Sequence, residues 1–281
     1  MAILAGLAAA LVWAAGNLAA SRASRVIPPN VVLAGISLIG LAVCAPILVT
    51  EGAPRTTSLG ALAWLGLGGA ANIAGLGLLY VAYRVGDVGL VAPITSTEGA
   101  VAAVIAIAAG ERVQAIVLVL LAVIVLGVVR VADAAPGQIA LARLNWGVVT
   151  VALLAACCFG AGLYASGRAS VLEQFGWVAA APRVVGVILV ALPLALRGQM
   201  RITRAAAPLV LVAACGEVGG FSLYWYAAHH ALAVAAVLAS LFAAFAVVGA
   251  AVLFGERMGR GQWLAVATIA AGVAALAAVT G

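Results

Sequence analysis

Lysine is absent from this chain, and Asp, Glu, Lys and Arg together make up only 8% of its 281 residues. Soluble domains carry roughly 25% charged residues, so a soluble enzyme or a charge-covered binding module is excluded. Histidine occurs only as the adjacent pair His229-His230. Neighbouring side chains on a helix point about 100° apart, so this pair makes no zinc site and reads as a polar span end. No HExxH pair and no nucleophile with a base is present, as an intramembrane enzyme would need. No Walker motif occurs, which excludes ATP-driven pumping by this chain. The four cysteines, Cys44, Cys157, Cys158 and Cys215, lie inside apolar runs without ligand spacing or a disulfide framework. They read as small packing residues. No metal and no cofactor are expected.

What remains is 67% hydrophobic, with a mean hydropathy of +1.28. Charges and Pro/Gly/Asn interruptions divide it into candidate spans near 2–20, 30–50, 58–83, 88–109, 113–131, 145–167, 174–196, 205–229, 232–254 and 261–280. A bilayer core about 30 Å thick takes roughly 20 helical residues, so each run is one crossing. The alternating segments of a β-barrel are missing. The first run has no basic flank and is longer than a cleavable h-region, although Ala8-Ala9-Ala10 imitates a cleavage site; it reads as a retained helix. The fold expected is an all-α integral membrane bundle of ten helices. The net charge of +6 is entirely arginine, placed in short connections. That distribution suits orientation and lipid headgroups rather than nucleic acid. Trp146 and Trp263, each just inside a span start, fit the interfacial aromatic belt.

Sliding the chain by 145 positions lays Gly75 on Gly220, Ala82 on Ala227, Thr95 on Ser240, Gly110-Glu111-Arg112 on Gly255-Glu256-Arg257, and Gly127 on Gly272. Near the front the offset is 146, where Trp13-Ala14-Ala15-Gly16 meets Phe159-Gly160-Ala161-Gly162. Two five-span repeats follow, residues 1–140 and 141–281. Because five is odd, the second half enters the membrane in the opposite sense, an inverted repeat with its site near the midplane.

The recurring Gly-Glu-Arg after spans four and nine, the glycine that follows it in spans five and ten, Trp13-Ala14-Ala15-Gly16-Asn17, and Val91-Ala92-Pro93 resemble EamA-type members of the drug/metabolite transporter superfamily. The resemblance implies ten helices and secondary transport of small metabolites, often amino-acid export. The family's proline early in span four falls on Pro93, while its repeat-mate is Leu238.

Of the eight acidic residues only Glu98 and Glu217 lie deep in spans, and of the fourteen arginines only Arg183, directly after Pro182. A charge at the bilayer centre costs about 2.5–3.5 kcal/mol even on lenient scales, so water, a partner or substrate must compensate it. Glu98 and Arg183 either pair with each other structurally or line the cavity. Asn72, the repeat-mate of Glu217, is either interhelical glue or cavity lining. Helical spacing places Asn72, Leu76, Leu79 and Tyr83 on one stripe, and Glu217, Phe221, Tyr224 and Ala228 on another, flanked by Trp225. The candidate substrate-binding residues are thus Glu217, Asn72, Glu98, Arg183, Tyr83, Phe221, Tyr224 and Trp225.

The function expected is secondary transport, as an exporter, of small organic metabolites such as amino acids across the cytoplasmic (inner) membrane, the two repeats rocking about a central cavity. A broad-specificity drug or organic-cation exporter and a non-transporting structural protein are the alternatives. The partners expected are a small-molecule substrate and the lipid bilayer, with proton coupling compatible with a buried carboxylate, in a monomer or homodimer. Connections 1–2, 3–4, 5–6, 7–8 and 9–10 hold ten arginines, including Arg22, Arg25, Arg84, Arg197, Arg201 and Arg204, against Arg55, Arg112 and Arg168 in the alternate set. The positive-inside rule then puts both termini outside the cytoplasm, whereas the resemblance implies the reverse. The asymmetry is large and the N-terminus lacks a basic side chain, so the charge-based orientation is the one expected.

Overall fold

A computed structural model describes residues 2–110 and 145–255, with individual positions between 115 and 130 and between 259 and 275. Among the described residues every regular element is helical: α1 (Ala2–Val26), α2 (Pro29–Glu51), α3 (Leu59–Val85), α4 (Val88–Thr95), α5 (Glu98–Ala108), α6 (Trp146–Ser170), α7 (Phe175–Gly186), a π-helical turn (Val187–Ala191), α8 (Leu192–Leu196), α9 (Ala207–Ser240) and α10 (Phe242–Phe254). Among the described residues, seven stretches are long and apolar enough to cross a membrane: Leu4–Val26, Pro29–Glu51, Leu59–Val85, Val88–Ala108, Trp146–Ser170, Phe175–Leu196 and Ala207–Ala227. The chain is therefore a multi-pass helical membrane protein. The fifth and tenth candidate spans and both Gly-Glu-Arg acid–base pairs fall largely outside the described residues.

Side chains sort as lipid requires. The interior is built mainly from alanine, glycine and valine, while large residues such as Leu4, Val49, Leu59, Leu196 and Val252 face outward. With hydrocarbon outside, close backbone approach rather than water exclusion holds such helices together. At the α1–α9 crossing a methyl group added to Gly16 would lie 3.2 Å from Gly216 Cα. Any larger residue there would push the helices apart. The principal packing partners are α1 with α9 and α10, α3 with α6 and α7, α5 with α6, and α2 with α7.

Three departures from regular helix matter for the site. The fourth span breaks between α4 and α5. Pro93 has no N–H to give, and the hydroxyls of Thr95, Ser96 and Thr97 bond back to the carbonyls of Val91, Ala92, Pro93 and Ile94. Those bonds satisfy the carbonyls around the break and let a new helix begin at Glu98. The seventh span stays helical through Pro182 and changes register at Val187–Ala191, where Leu192 N–H reaches back five residues to Val187 O. Pro193, which cannot bond Leu189 O, accounts for that π turn. The eighth and ninth spans do not separate near residue 230; α9 runs on to Ser240, and the interruption comes at Leu241. Ala227-Ala228-His229-His230-Ala231-Leu232 contains no breaker, whereas the equivalent junction between α3 and α4 has Gly86 and Asp87.

At one end of the bundle, hydrogen bonds join connection 2–3 to connection 6–7. Glu173 accepts from Arg55 N and Thr56 N at 2.9 and 3.0 Å, Glu51 accepts from Gly176 N at 2.9 Å, and Trp177 Nε1 donates to Gly52 O at 3.2 Å. The opposite end holds Arg25, which donates to Tyr83 O and Gly86 O and lies 3.9 Å from Asp87.

Candidate functional site

Between these ends lies a cavity of about 160 Å3, walled by residues of α1, α3, α4, α5, α6, α7, α9 and α10. Its charged groups are Glu98, Arg183 and Glu217, and its amides are Asn17 and Asn72. Trp13, Phe159, Phe221, Tyr224 and Phe242 supply aromatic walls, and Thr95 and Ser166 supply hydroxyls.

Arg183 reaches Glu217 at 3.9 Å, with side-chain exposures of 7% and 18%. It also donates from Nη1 to Ala179 O at 3.1 Å. An added methyl at Gly40 would sit 3.0 Å from Arg183 Cγ, so α2 leaves the arginine its passage. Of the two alternatives for Glu98 and Arg183, the geometry matches cavity lining: both face the cavity, and Arg183 is the partner of Glu217, not of Glu98. Rotation about the helix axis decides this, since α7 turns residue 183 towards α9, and spacing along the sequence carries no information on it. Glu98 has neither an ion pair nor a side-chain hydrogen bond among the described residues, although it stands within electrostatic reach of Glu217 and of the Tyr224 phenol. As the first residue of α5 it also faces that helix's N-terminal partial positive charge. Asn72 Oδ1 is buried with no hydrogen-bond partner.

Six of the eight sequence candidates meet in this cavity: Glu217, Asn72, Glu98, Arg183, Phe221 and Tyr224. Two do not. Tyr83 is fully buried one turn beyond the wall, where its hydroxyl donates to Asn17 Oδ1 at 3.0 Å. It shares the Asn72 face of α3, but the cavity ends at Leu79. Trp225 is rotated off the cavity and packs against Phe175, ring centroids 4.8 Å apart. Tyr224, one position earlier, lines the cavity and meets Trp13 at 5.8 Å. Phe221 stacks on Phe175 from the cavity side at 5.9 Å.

Trp13, Asn17 and Phe159 were not among the candidates. Asn17 is held in place on both sides of its amide, donating to Trp13 O at 2.9 Å and accepting from Tyr83. Trp13 lies across Gly220 of α9, whose added methyl would come within 2.6 Å of Trp13 Cδ1; Phe159 lies across Gly75 of α3, at 2.7 Å. Trp13 falls on Phe159 at the 146 offset, and Gly75 on Gly220 at the 145 offset. The sequence signal was therefore present as an aromatic matched with an aromatic and a glycine with a glycine. Its meaning needed the knowledge that the first span packs on the eighth and the sixth on the third.

No curated protein matches the chain. Fourteen chains of known structure do. One of them, described only as a crystal structure of a protein, aligns over 99% of this chain and 97% of its own, with a TM-score of 0.69 and 19% sequence identity. At that identity the likeness speaks to the fold alone. Residues 1–132 match the EamA-like transporter family, so the first half of this membrane protein is similar to EamA-like transporters.

Proposed function

We propose that the protein is a secondary transporter of small organic metabolites, amino acids among them, that works by alternating access around the central cavity. The observation that supports this best is the cavity itself: two carboxylates, an arginine and two amides converge inside a lipid-facing bundle, where each is costly unless water or a ligand reaches it. Its volume of about 160 Å3 is below the roughly 300–1,000 Å3 of pockets that enclose drug-sized molecules. That favours a compact metabolite over a bulky drug.

The inverted five-helix repeats, 1–140 and 141–281, are part of the same proposal. Their support is the reciprocal packing of Trp13 on Gly220 and Phe159 on Gly75, together with the pairing of α1 with α9 and of α6 with α3. A twofold axis in the membrane plane exchanges the members of each pair. The repeat-mates Glu217 and Asn72 both reach the cavity wall, as a site on such an axis requires. Location in the cytoplasmic membrane and export as the direction belong to this reading.

The test is flux in reconstituted vesicles, using a panel of amino acids, primary amines and bulky organic cations, with and without a proton gradient. Saturable flux of a compact solute above protein-free vesicles supports the reading. The absence of flux for every solute, with correctly folded protein in the vesicles, overturns it.

A further inference from the structure

We infer that Glu98, rather than Glu217, is the exchange group of the cavity, and that its cargo is a compact protonated amine traded for a proton. The inference rests on the transporter reading above and names its substrate class and coupling residue.

Charge comes first. The ionisable groups on the described wall are Glu98, Arg183, Glu217 and Tyr224. Glu217 is matched by Arg183 from α7 at 3.9 Å, and that pair is neutral as a unit. Glu98 adds a carboxylate that is unmatched among the described residues. The groups facing it are Glu217 and the Tyr224 phenol, both from α9. From α6, which packs along α5, the cavity wall receives only Phe159, Gly162, Leu163 and Ser166, none of them ionisable. The described wall thus lacks one positive charge, and a monocation or a proton supplies it. A carboxylate without a partner in an apolar wall does not stay charged when it can take a proton instead.

Hydrogen bonding narrows the cation. Asn72 Oδ1 is a buried acceptor without a donor among the described residues, and a buried acceptor left unmet is destabilising. An ammonium group with N–H donors answers both Asn72 and Glu98; a quaternary ammonium answers the charge alone. Trp13, Phe159 and Tyr224 give the cation ring faces to rest on.

The break at Ser96-Thr97 explains why the exchange is reversible. It makes Glu98 the first residue of α5, where the partial positive charge of the helix end lies beside a carboxylate. The same wall holds a second carboxylate, Glu217. In the step itself the Glu98 O–H bond breaks, the proton leaves to whichever aqueous phase the cavity faces, and the carboxylate so formed takes the ammonium as its counter-ion. No other bond changes.

The experiment measures proton release in detergent, which needs no transport. Purified protein in weakly buffered solution near neutral pH is titrated with butylammonium, tetramethylammonium and alanine while a pH dye reports released protons. Butylammonium is expected to release one proton per molecule bound, and tetramethylammonium to bind at least tenfold more weakly. Glu98→Gln should lose the proton release and at least tenfold in butylammonium affinity, with its thermal unfolding unchanged. Glu98→Asp should keep the release, which covers the case in which Glu98→Gln folds poorly. Butylammonium binding without proton release in the unaltered protein, equal binding of the two cations, or undiminished release from Glu98→Gln would each overturn the inference. Vesicles that transport alanine but not butylammonium would overturn it and leave the transporter reading standing. Proton release dependent on Glu98 in a protein that moves no solute would do the opposite.

Discussion

Removing Arg183 should create an instability that depends on pH, and the size of the effect follows from two distances to safety for Glu217. At 3.9 Å and an effective dielectric constant near 20, the Arg183–Glu217 attraction is roughly 4 kcal/mol. With the side chains 7% and 18% exposed, water screens little of it. In Arg183→Gln the carboxylate loses this partner and escapes by taking up a proton. For a glutamate whose reference pKa is about 4.3, that uptake costs roughly 3.7 kcal/mol at pH 7 and roughly 1 kcal/mol at pH 5. The folded variant then binds one proton more at Glu217 than the unfolded chain, so its stability falls as pH rises through this window. Relative to the unaltered protein, Arg183→Gln should therefore lose about 4 kcal/mol at pH 7 but only about 1 kcal/mol at pH 5. The double variant Arg183→Gln/Glu217→Gln, with no charge left to protonate, should recover most of the loss at pH 7. Denaturant unfolding of the detergent-solubilised proteins, followed by tryptophan fluorescence, measures all three. A penalty that is the same at both pH values, or a double variant no more stable than the single one, would refute the pairing as the source of Glu217's tolerance.

Tyr83→Phe should raise the transport KM several-fold with little change in unfolding temperature, because it removes one hydrogen bond of about 1 kcal/mol that orients Asn17 on the wall; an unchanged KM would make Tyr83 mere packing. Glu173→Gln turns an acceptor of Arg55 and Thr56 N–H partly into a donor and should lower stability by about 2 kcal/mol, measured by thermal unfolding in detergent. Arg201→Cys, in a background without native cysteines, should react with an impermeant thiol reagent from the cytoplasmic side; labelling from the outer side would reverse the orientation taken from arginine counts. A disulfide between Val12→Cys and Gly219→Cys, positions in contact across α1 and α9, should leave flux intact, and its arrest on oxidation would show that these helices must separate during transport.

The sequence was informative about depth and nearly silent about rotation. Depth comes from position along an apolar run, so the three charges that lie far from every span end, Glu98, Arg183 and Glu217, could be picked out and do share one cavity. Rotation comes from packing. Tyr224 and Trp225 are equally deep, yet about 100° of helix puts one in the cavity and the other on Phe175. Arg183 could have turned towards Glu98 or Glu217, and no spacing rule separates the two. Span ends were legible where a breaker stood, as at Gly86-Asp87, and illegible at His229-His230, where polarity alone suggested an end that the backbone does not make. The split before Glu98 needed more than Pro93. Three consecutive hydroxyls, each returned to a carbonyl three or four residues back, complete it.

The packing partners also bear on which bodies could rock. Transport by alternating access is often pictured as one sequence half moving against the other, and the repeat boundary proposed near residue 140 invites that picture. The contacts run otherwise. α1 packs on α9 and α10 from the other half, and α6 packs on α3 and α5. Where Gly16 meets Gly216 and Trp13 covers Gly220, the fit leaves no room for even a methyl group, and surfaces this close slide or part only by losing many van der Waals contacts at once. The closest packing therefore groups α1 with α9 and α10, and α6 with α3 and α5, each group drawn from both halves, while α2 and α7 touch members of both groups; on the transport reading proposed above, movement between the two groups is the one that spares these packed pairs. Glu217 belongs to the first and Glu98 to the second. A relative movement of the two bodies would change the separation of the carboxylates, and so the balance between proton and cation at the cavity, without unpacking either helix pair.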